Sequence, residues 1–177
     1  MRPTDRANRS LDFVRIASAE TSADVEQART LFKEYATESK LDLCFQNFEE
    51  ELARLPGDYA PPKGCLRLAW AADQAAGCVA VREFSPGVCE MKRLYVRPDF
   101  RKSGLGRKLA EDIIEEARRM GYATMRLDTL ARMKAAVALY ESLGFQRIEA
   151  YRPNPEGDAI YMEFNLALRG GRASEAN

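Results

Sequence analysis

The chain has 177 residues, its 27 Lys and Arg are balanced by 27 Asp and Glu, and it contains no histidine. That length supports one domain with its own core rather than two, and a net charge of zero offers no general attraction for nucleic acid or anionic lipid. Without histidine, Ser-His-Asp and Cys-His nucleophile systems and most catalytic zinc sites are excluded, leaving Asp, Glu, Tyr, Lys or Cys for any proton transfer.

No apolar run approaches the roughly 20 residues of a membrane span, and "MRPTDRANRSLD" lacks the apolar core of a signal peptide. The expectation is a soluble, cytoplasmic protein with neither membrane nor nucleic-acid partner. Cys44, Cys65, Cys78 and Cys89 form no CxxC pair, so they read as reduced, buried thiols packing as small hydrophobes, with no metal site.

In chain order, residues 1–12 and 169–177 are polar and read as flexible tails around one domain, 13–168. "FVRIAS" (Phe13 to Ser18) is a predicted strand. "TSADVEQARTLFKEYATES" opens with a capping-box match, Thr21 to Asp24, and sets Val25, Ala28, Phe32 and Tyr35 on one helical stripe. A second helix is expected in "FQNFEEELARL", ended by Pro56-Gly57, with "PGDYAPPKG" as a loop. "CLRLAWA" and "GCVAVREF" read as a hairpin across the turn-like "ADQAAG", and "VCEMKRLYV" is a further strand after Ser85-Pro86-Gly87.

From Ser103 to Met120 the residues Leu105, Leu109, Ile113, Ala117 and Met120 fall at helical spacing, with Gly121 as a stop. "TMRLDTL" is strand-like, "MKAAVALYESLG" a short helix closed by Gly144, and "FQRIEAY" and "AIYMEFNLA" are final strands. This order predicts an α/β domain with a mixed sheet, its early strands antiparallel and a strand-helix-strand crossover in the middle.

The most informative stretch is "LYVRPDFRKSGLGRKLAEDII", Leu94 to Ile114. A Walker A loop fails because Arg107 and Lys108 follow Gly106, and a dinucleotide fingerprint fails at Leu109. What remains is a strand, a proline, and then Arg101, Gly104 and Gly106 entering a helix. Exposed amides at a helix N-terminus make an anion site, and glycines let a bulky anion come close to the backbone. Seven basic residues against Asp99 alone lie between Lys92 and Lys108.

Arg101-Lys-Ser-Gly104-Leu-Gly106 resembles the Q/RxxGxG/A motif of the GCN5-related N-acetyltransferases (GNAT), and "AAVALYESLGF", Ala135 to Phe145, is similar to a second signature of that family. The resemblance implies a GNAT-like domain: a mixed, mostly antiparallel sheet of about seven strands with about four helices, splayed at the strand before the glycine loop. It implies acetyl-CoA as co-substrate, its pyrophosphate on the backbone of Arg101, Lys102, Ser103, Gly104, Leu105, Gly106 and Arg107, and its pantetheine arm along Leu94, Tyr95 and Val96. The implied reaction is direct acetyl transfer to a primary amine of a small molecule or peptide, with homodimerisation common in the family. A non-catalytic acyl-CoA-binding or sensing module is the alternative.

An alkyl ammonium has a pKa of roughly 10, so a base is needed. The family places candidates at Glu90, favoured for its longer arm, and at Asp128. Tyr140 matches the tyrosine that protonates the thiolate leaving group, and a backbone N–H near Leu94 or Val96 is the implied oxyanion donor. Met133 stands where many members have an asparagine, with Arg132 and Lys134 flanking it as phosphate-reaching candidates. An acyl-enzyme through Cys89 is disfavoured because strand alternation sends Cys89 and Glu90 to opposite faces. For the acceptor, Glu49, Glu50, Glu51, Asp58 and Glu156 suggest a cationic amine, and Phe45, Phe48 and Tyr59 an apolar wall.

Overall fold

A computed structural model describes residues 14–40 and 47–167. The expected tails, Phe13, Cys44, Phe45 and Gln46 lie outside the described residues. The elements run β1 (Val14–Ser18), α1 (Ser22–Ser39), α2 (Phe48–Arg54), β2 (Cys65–Ala71), β3 (Gln74–Ser85), β4 (Val88–Val96), α3 (Leu105–Arg119), β5 (Thr124–Leu130), α4 (Lys134–Leu143), β6 (Gln146–Ile148) and β7 (Ala159–Asn165). Short 3₁₀ turns at Gly57–Tyr59 and Pro98–Phe100 join them. The order matches the expectation from the sequence, and no described helix is long and apolar enough to cross a membrane.

The strands form one sheet, β1-β2-β3-β4-β5-β7-β6. All neighbours are antiparallel except β4 and β5, which pair in parallel through Val88↔Thr124, Cys89↔Met125 and Glu90↔Arg126 only. Beyond Glu90 the two strands separate although both continue, to Val96 and Leu130. The expected splay before the glycine loop is therefore present.

Both faces of the sheet are covered. On one side α3 and α4 bury Leu105, Leu109, Ile113, Ala117 and Tyr140 against Val79, Val81, Met91, Met125 and Leu127. On the other α1 and α2 bury Ala28, Leu31, Phe32, Phe48 and Leu52 against Leu66, Leu68, Ala80 and Tyr95. With helices on both faces the central β3 is buried in a continuous run from Ala75 to Val81, which is why its sequence is apolar without alternation. Cys65, Cys78 and Cys89 are buried free thiols, and burial raises the pKa of each, so they pack as hydrophobes.

Local chemistry sets the element ends. Thr21 caps α1 by accepting from the Asp24 amide while Asp24 accepts from the Thr21 amide, satisfying two donors that the helix itself leaves open. The boundaries of β3 and β6 depart furthest from the sequence reading. The β2–β3 turn is only Ala72-Asp73, because Ala75 and Ala76 are packed inside the sheet. The β6 strand stops at Ile148 rather than Tyr151, because Tyr151 and Arg152 turn back over the sheet to reach Glu90.

Gly77 is required where β3, β4 and α3 meet: a Cβ there would lie 2.5 Å from the Tyr95 carbonyl oxygen and 3.1 Å from Leu109 Cδ1. Gly77→Ala should cost about 1–3 kcal/mol, in the range of overpacked cores, read as a lower urea midpoint. An unchanged midpoint would show that the β3–β4 pairing relaxes freely at this point.

Candidate active site

Separation of β4 from β5 opens a cleft of about 70 Å³, enough for an acetyl-sized group or a few waters, lined by Lys92 and Leu94 of β4, Asp128 of β5, Tyr140 of α4, Tyr35 of α1 and Asn154. A bulge sharpens the opening. Cys78 pairs with Tyr95 and Ala80 with Lys92, so Arg93 and Leu94 together face one residue of β3, and Arg93 takes φ +57°. The bulge turns Arg93 toward α2, where its guanidinium donates to Glu51 at 2.9 and 2.5 Å. Past Glu90 the edge of β4 has no β5 partner, and the Val96 carbonyl accepts from Arg101 instead.

At the end of β4 the chain passes through the Pro98–Phe100 turn into the glycine loop. Lys102 (φ +61°) and Gly104 (φ +83°) are left-handed, a geometry that turns successive N–H groups to one side. Ser103 Oγ donates to the Phe100 carbonyl at 2.5 Å and fixes the loop. The Lys108 amide bonds the Gly104 carbonyl, so the amides of Leu105, Gly106 and Arg107 precede the helical hydrogen-bond ladder. The first turn of α3 holds no acidic residue and its last turn holds Arg118 and Arg119, both in keeping with the helix dipole.

The basic cluster is divided between two tasks. Lys92 and Arg93 are buried. Arg97 donates to Glu34 of α1 at 2.9 and 2.7 Å and to the Ala75 carbonyl. Arg101 donates to the Val96 carbonyl and pairs with Glu38. These cations hold α1, β4 and the loop together, so the positive field at the α3 N-terminus rests on Lys102 and Lys108, with Arg107 shared between Glu111 and Ser142 Oγ.

The two carboxylates singled out in the sequence have different surroundings. Glu90 is fully buried, receives Arg82 at 3.1 Å, Tyr151 Oη at 2.9 Å and Arg152 at 3.0 Å, and does not line the cleft. Asp128 does line it, receiving Arg152 at 2.5 Å and Asn154 at 3.1 Å, with Lys92 Nζ at 3.6 Å. Burial alone would raise the Asp128 pKa, but Lys92 and Arg152 outweigh it and hold the carboxyl below its usual range. Lys92 is 5% exposed; burial lowers its pKa to about 8, with Glu90 and Asp128 partly offsetting the drop.

Tyr140 lies in the cleft wall, packed edge-on to Phe145 at 5.7 Å. Burial keeps its phenol protonated well above the ordinary tyrosine range. Leu94 and Val96 are half-buried toward α3, whereas Tyr95 points to the α1 face and donates to Glu38. Met133 lines the cleft at the α4 N-cap without a side-chain cap. Its neighbour Arg132 pairs with Glu156 and Asp158. Phe48 and Tyr59 are core residues, Glu50, Glu51, Asp58 and Glu156 each pair with an arginine, and Glu50, Glu51, Asp58 and Tyr59 line a second cavity of about 210 Å³ together with Arg54 and Arg82.

The sequence reading missed Lys92, Arg152 and Asn154. Its one available signal was the run Glu90-Met91-Lys92-Arg93 inside a mostly apolar strand, where buried charges demand partners.

The model of the Acetyltransferase (GNAT) family matches residues 25–145. An uncharacterised N-acetyltransferase of Schizosaccharomyces pombe is 41% identical over 158 residues, covering 87% of this chain and 96% of the relative. A Salmonella typhimurium enzyme named as a ribosomal protein bS18 alanine N-acetyltransferase is 35% identical over 108 residues, 58% of this chain and 73% of its own. Among solved structures, an N-acetyltransferase of Thermoplasma acidophilum in complex with coenzyme A superposes with a TM-score of 0.67 at 15% identity, covering 86% of this chain and 99% of that one. With these matches beside the splayed β4–β5 cleft and the glycine loop, the chain belongs to the GNAT acetyltransferase family and is an acetyl-CoA-dependent N-acetyltransferase.

Proposed function

We propose that the 13–168 domain acts in the cytoplasm, binding acetyl-CoA with its pyrophosphate on the amides of Lys102 to Arg107 and its pantetheine arm against the free edge of β4 at Leu94 and Val96. The acceptor is a primary amine of a small molecule or of a peptide N-terminus, the latter in line with the alanine acetylation for which the Salmonella relative is named. One observation carries this reading: Asp128, Tyr140 and the unpaired edge of β4 line a single cleft at the point where the sheet opens.

The residues take distinct roles. A helix N-terminus with left-handed turns before it stabilises a diphosphate. A β4 edge amide near Leu94 supports the oxyanion of the tetrahedral intermediate. Tyr140, neutral throughout the physiological range, donates a proton to the departing thiolate. Asp128 is an anion facing the cleft, and it draws in and orients the acceptor ammonium. Glu90, locked by Arg82, Arg152 and Tyr151, holds the β3–β4–β6 side of the site in place. A non-catalytic acyl-CoA-binding module has no use for Asp128 and Tyr140 in one cleft.

Tyr140→Phe should lower kcat about 10²-fold in a thiol-release assay while calorimetric CoA affinity is unchanged; an unaltered rate would remove Tyr140 as the acid. At Gly104 a Cβ would meet nothing within 4 Å, but φ is +83°. Gly104→Ala should therefore weaken CoA binding about tenfold through backbone strain alone, and unaltered affinity would count against the loop as the diphosphate cradle.

The carboxylates separate in the same assay. Asp128→Asn should lower kcat/KM for the amine by about tenfold or more with the fold intact. Glu90→Gln should instead lose about 3 kcal/mol of stability through the uncompensated arginines, with turnover kept below its melting range. The reverse pattern would make Glu90 the catalytic carboxylate.

A further inference from the structure

The geometry points to Lys92 as the general base of this acetyltransferase, with Asp128 as its positioning partner. This deepens the proposed function and rests on it.

Lys92 projects from β4 into the cleft two residues before Leu94, beside the edge assigned to the pantetheine arm, and its Nζ lies 3.6 Å from Asp128 Oδ1. It is buried in the opened sheet rather than reaching solvent along the surface as most lysines do. Neither carboxylate is well placed to accept a proton. Glu90 is enclosed by Arg82, Tyr151 and Arg152, and both oxygens of Asp128 are occupied by Arg152 and Asn154.

The proton balance favours an amine. Transfer from an acceptor ammonium of pKa roughly 10 to an ordinary carboxylate of roughly 4 is unfavourable by about six orders of magnitude. Transfer to an amine whose pKa burial has lowered to about 8 is unfavourable by only about two. Every charged group around Lys92 bears on that value. Glu90 and Arg93 come from its own strand, Asp128 from β5, Arg152 from the segment between β6 and β7, and Glu51 from α2. Tyr35, Tyr140 and Glu156 also line the cleft; burial raises the pKa of both tyrosines, leaving them neutral near pH 8. Arg93 is held by Glu51 and Arg152 by Glu90 and Asp128, so the nearby cations are compensated and burial of Lys92 dominates.

In the step, the lone pair of neutral Lys92 takes one proton from the acceptor ammonium. The freed amine nitrogen forms the N–C bond to the thioester carbonyl, and the C–S bond breaks with its electron pair on sulfur. Tyr140 protonates that sulfur, and the second proton on nitrogen restores the phenol. The Lys92 proton leaves to solvent when the cleft empties. The net change is ammonium plus acetyl-CoA to acetamide, CoA thiol and one proton.

The test uses the full chain, acetyl-CoA and three amine probes: a hexapeptide with a free N-terminal alanine, spermidine and glucosamine. For any probe that wild type acetylates, log kcat should rise with unit slope up to about pH 8 and then level. Lys92→Met should lower kcat by about 10²-fold and abolish that limb, and Lys92→Arg, always charged, should be equally slow at every pH. Calorimetric CoA affinity close to wild type would certify both variants as folded, and the exposed Lys33→Met serves as a control that keeps the wild-type profile. A Lys92→Met enzyme that is folded and retains the limb would overturn Lys92 as the base and leave acetyl transfer standing. Wild type that acetylates none of the probes would sink the proposed acceptor classes and this role with them.

Discussion

Parallel pairing between β4 and β5 lasts for three residue pairs and ends at Glu90 and Arg126, and the site depends on that early end. A continuous ladder would satisfy the backbone groups of both strands and leave no edge for a cofactor. Its interruption exposes amides and carbonyls in the middle of a sheet whose two faces are otherwise covered by helices. Unpaired backbone in a buried position is costly, so the opening must be held from both sides. The β4 bulge at Arg93–Leu94 holds one side, with Arg93 anchored to Glu51 of α2. The segment after β6 holds the other, with Tyr151 on Glu90 and Arg152 on both Glu90 and Asp128.

Charge in this protein is local. A chain of zero net charge places Lys92, Arg82 and Arg152 around Glu90 and Asp128 inside the opened sheet. Such a network is weak evidence for stability, because desolvating each ion offsets much of the attraction. Its effect is to set protonation states: a carboxylate held ionised, a lysine shifted toward neutrality and a tyrosine held protonated, all lining one cleft. Groups with pKa values pushed apart in this way are what proton transfer during acyl exchange requires.

Much of the fold was legible because its signals are local. The Thr21–Asp24 box, the Leu105-Leu109-Ile113-Ala117 stripe and the Pro86-Gly87 turn each fix an element within a few residues, and each is found where the spacing put it. Less legible were features set by distant partners. "FQRIEAY" has the composition of a longer strand, yet Tyr151 and Arg152 leave it for a carboxylate about sixty positions earlier. The basic cluster read as one anion site, but Arg97 and Arg101 face glutamates of α1, and no spacing rule reveals a partner more than sixty residues away.

By itself the sequence determined the family, the element order and the position of the glycine loop, because motif spacing, periodicity and capping are properties of short segments. Tertiary structure alone decided which carboxylate lines the β4–β5 cleft. Glu90 and Asp128 are both carboxylates on adjacent strands, and what packs over them sets them apart. Arg82, Tyr151 and Arg152 enclose the first, while the parting of β4 from β5 leaves the second in the cleft beside Lys92. Burial and neighbouring charge set what an ionisable group can do, and both are fixed only once distant segments have come together.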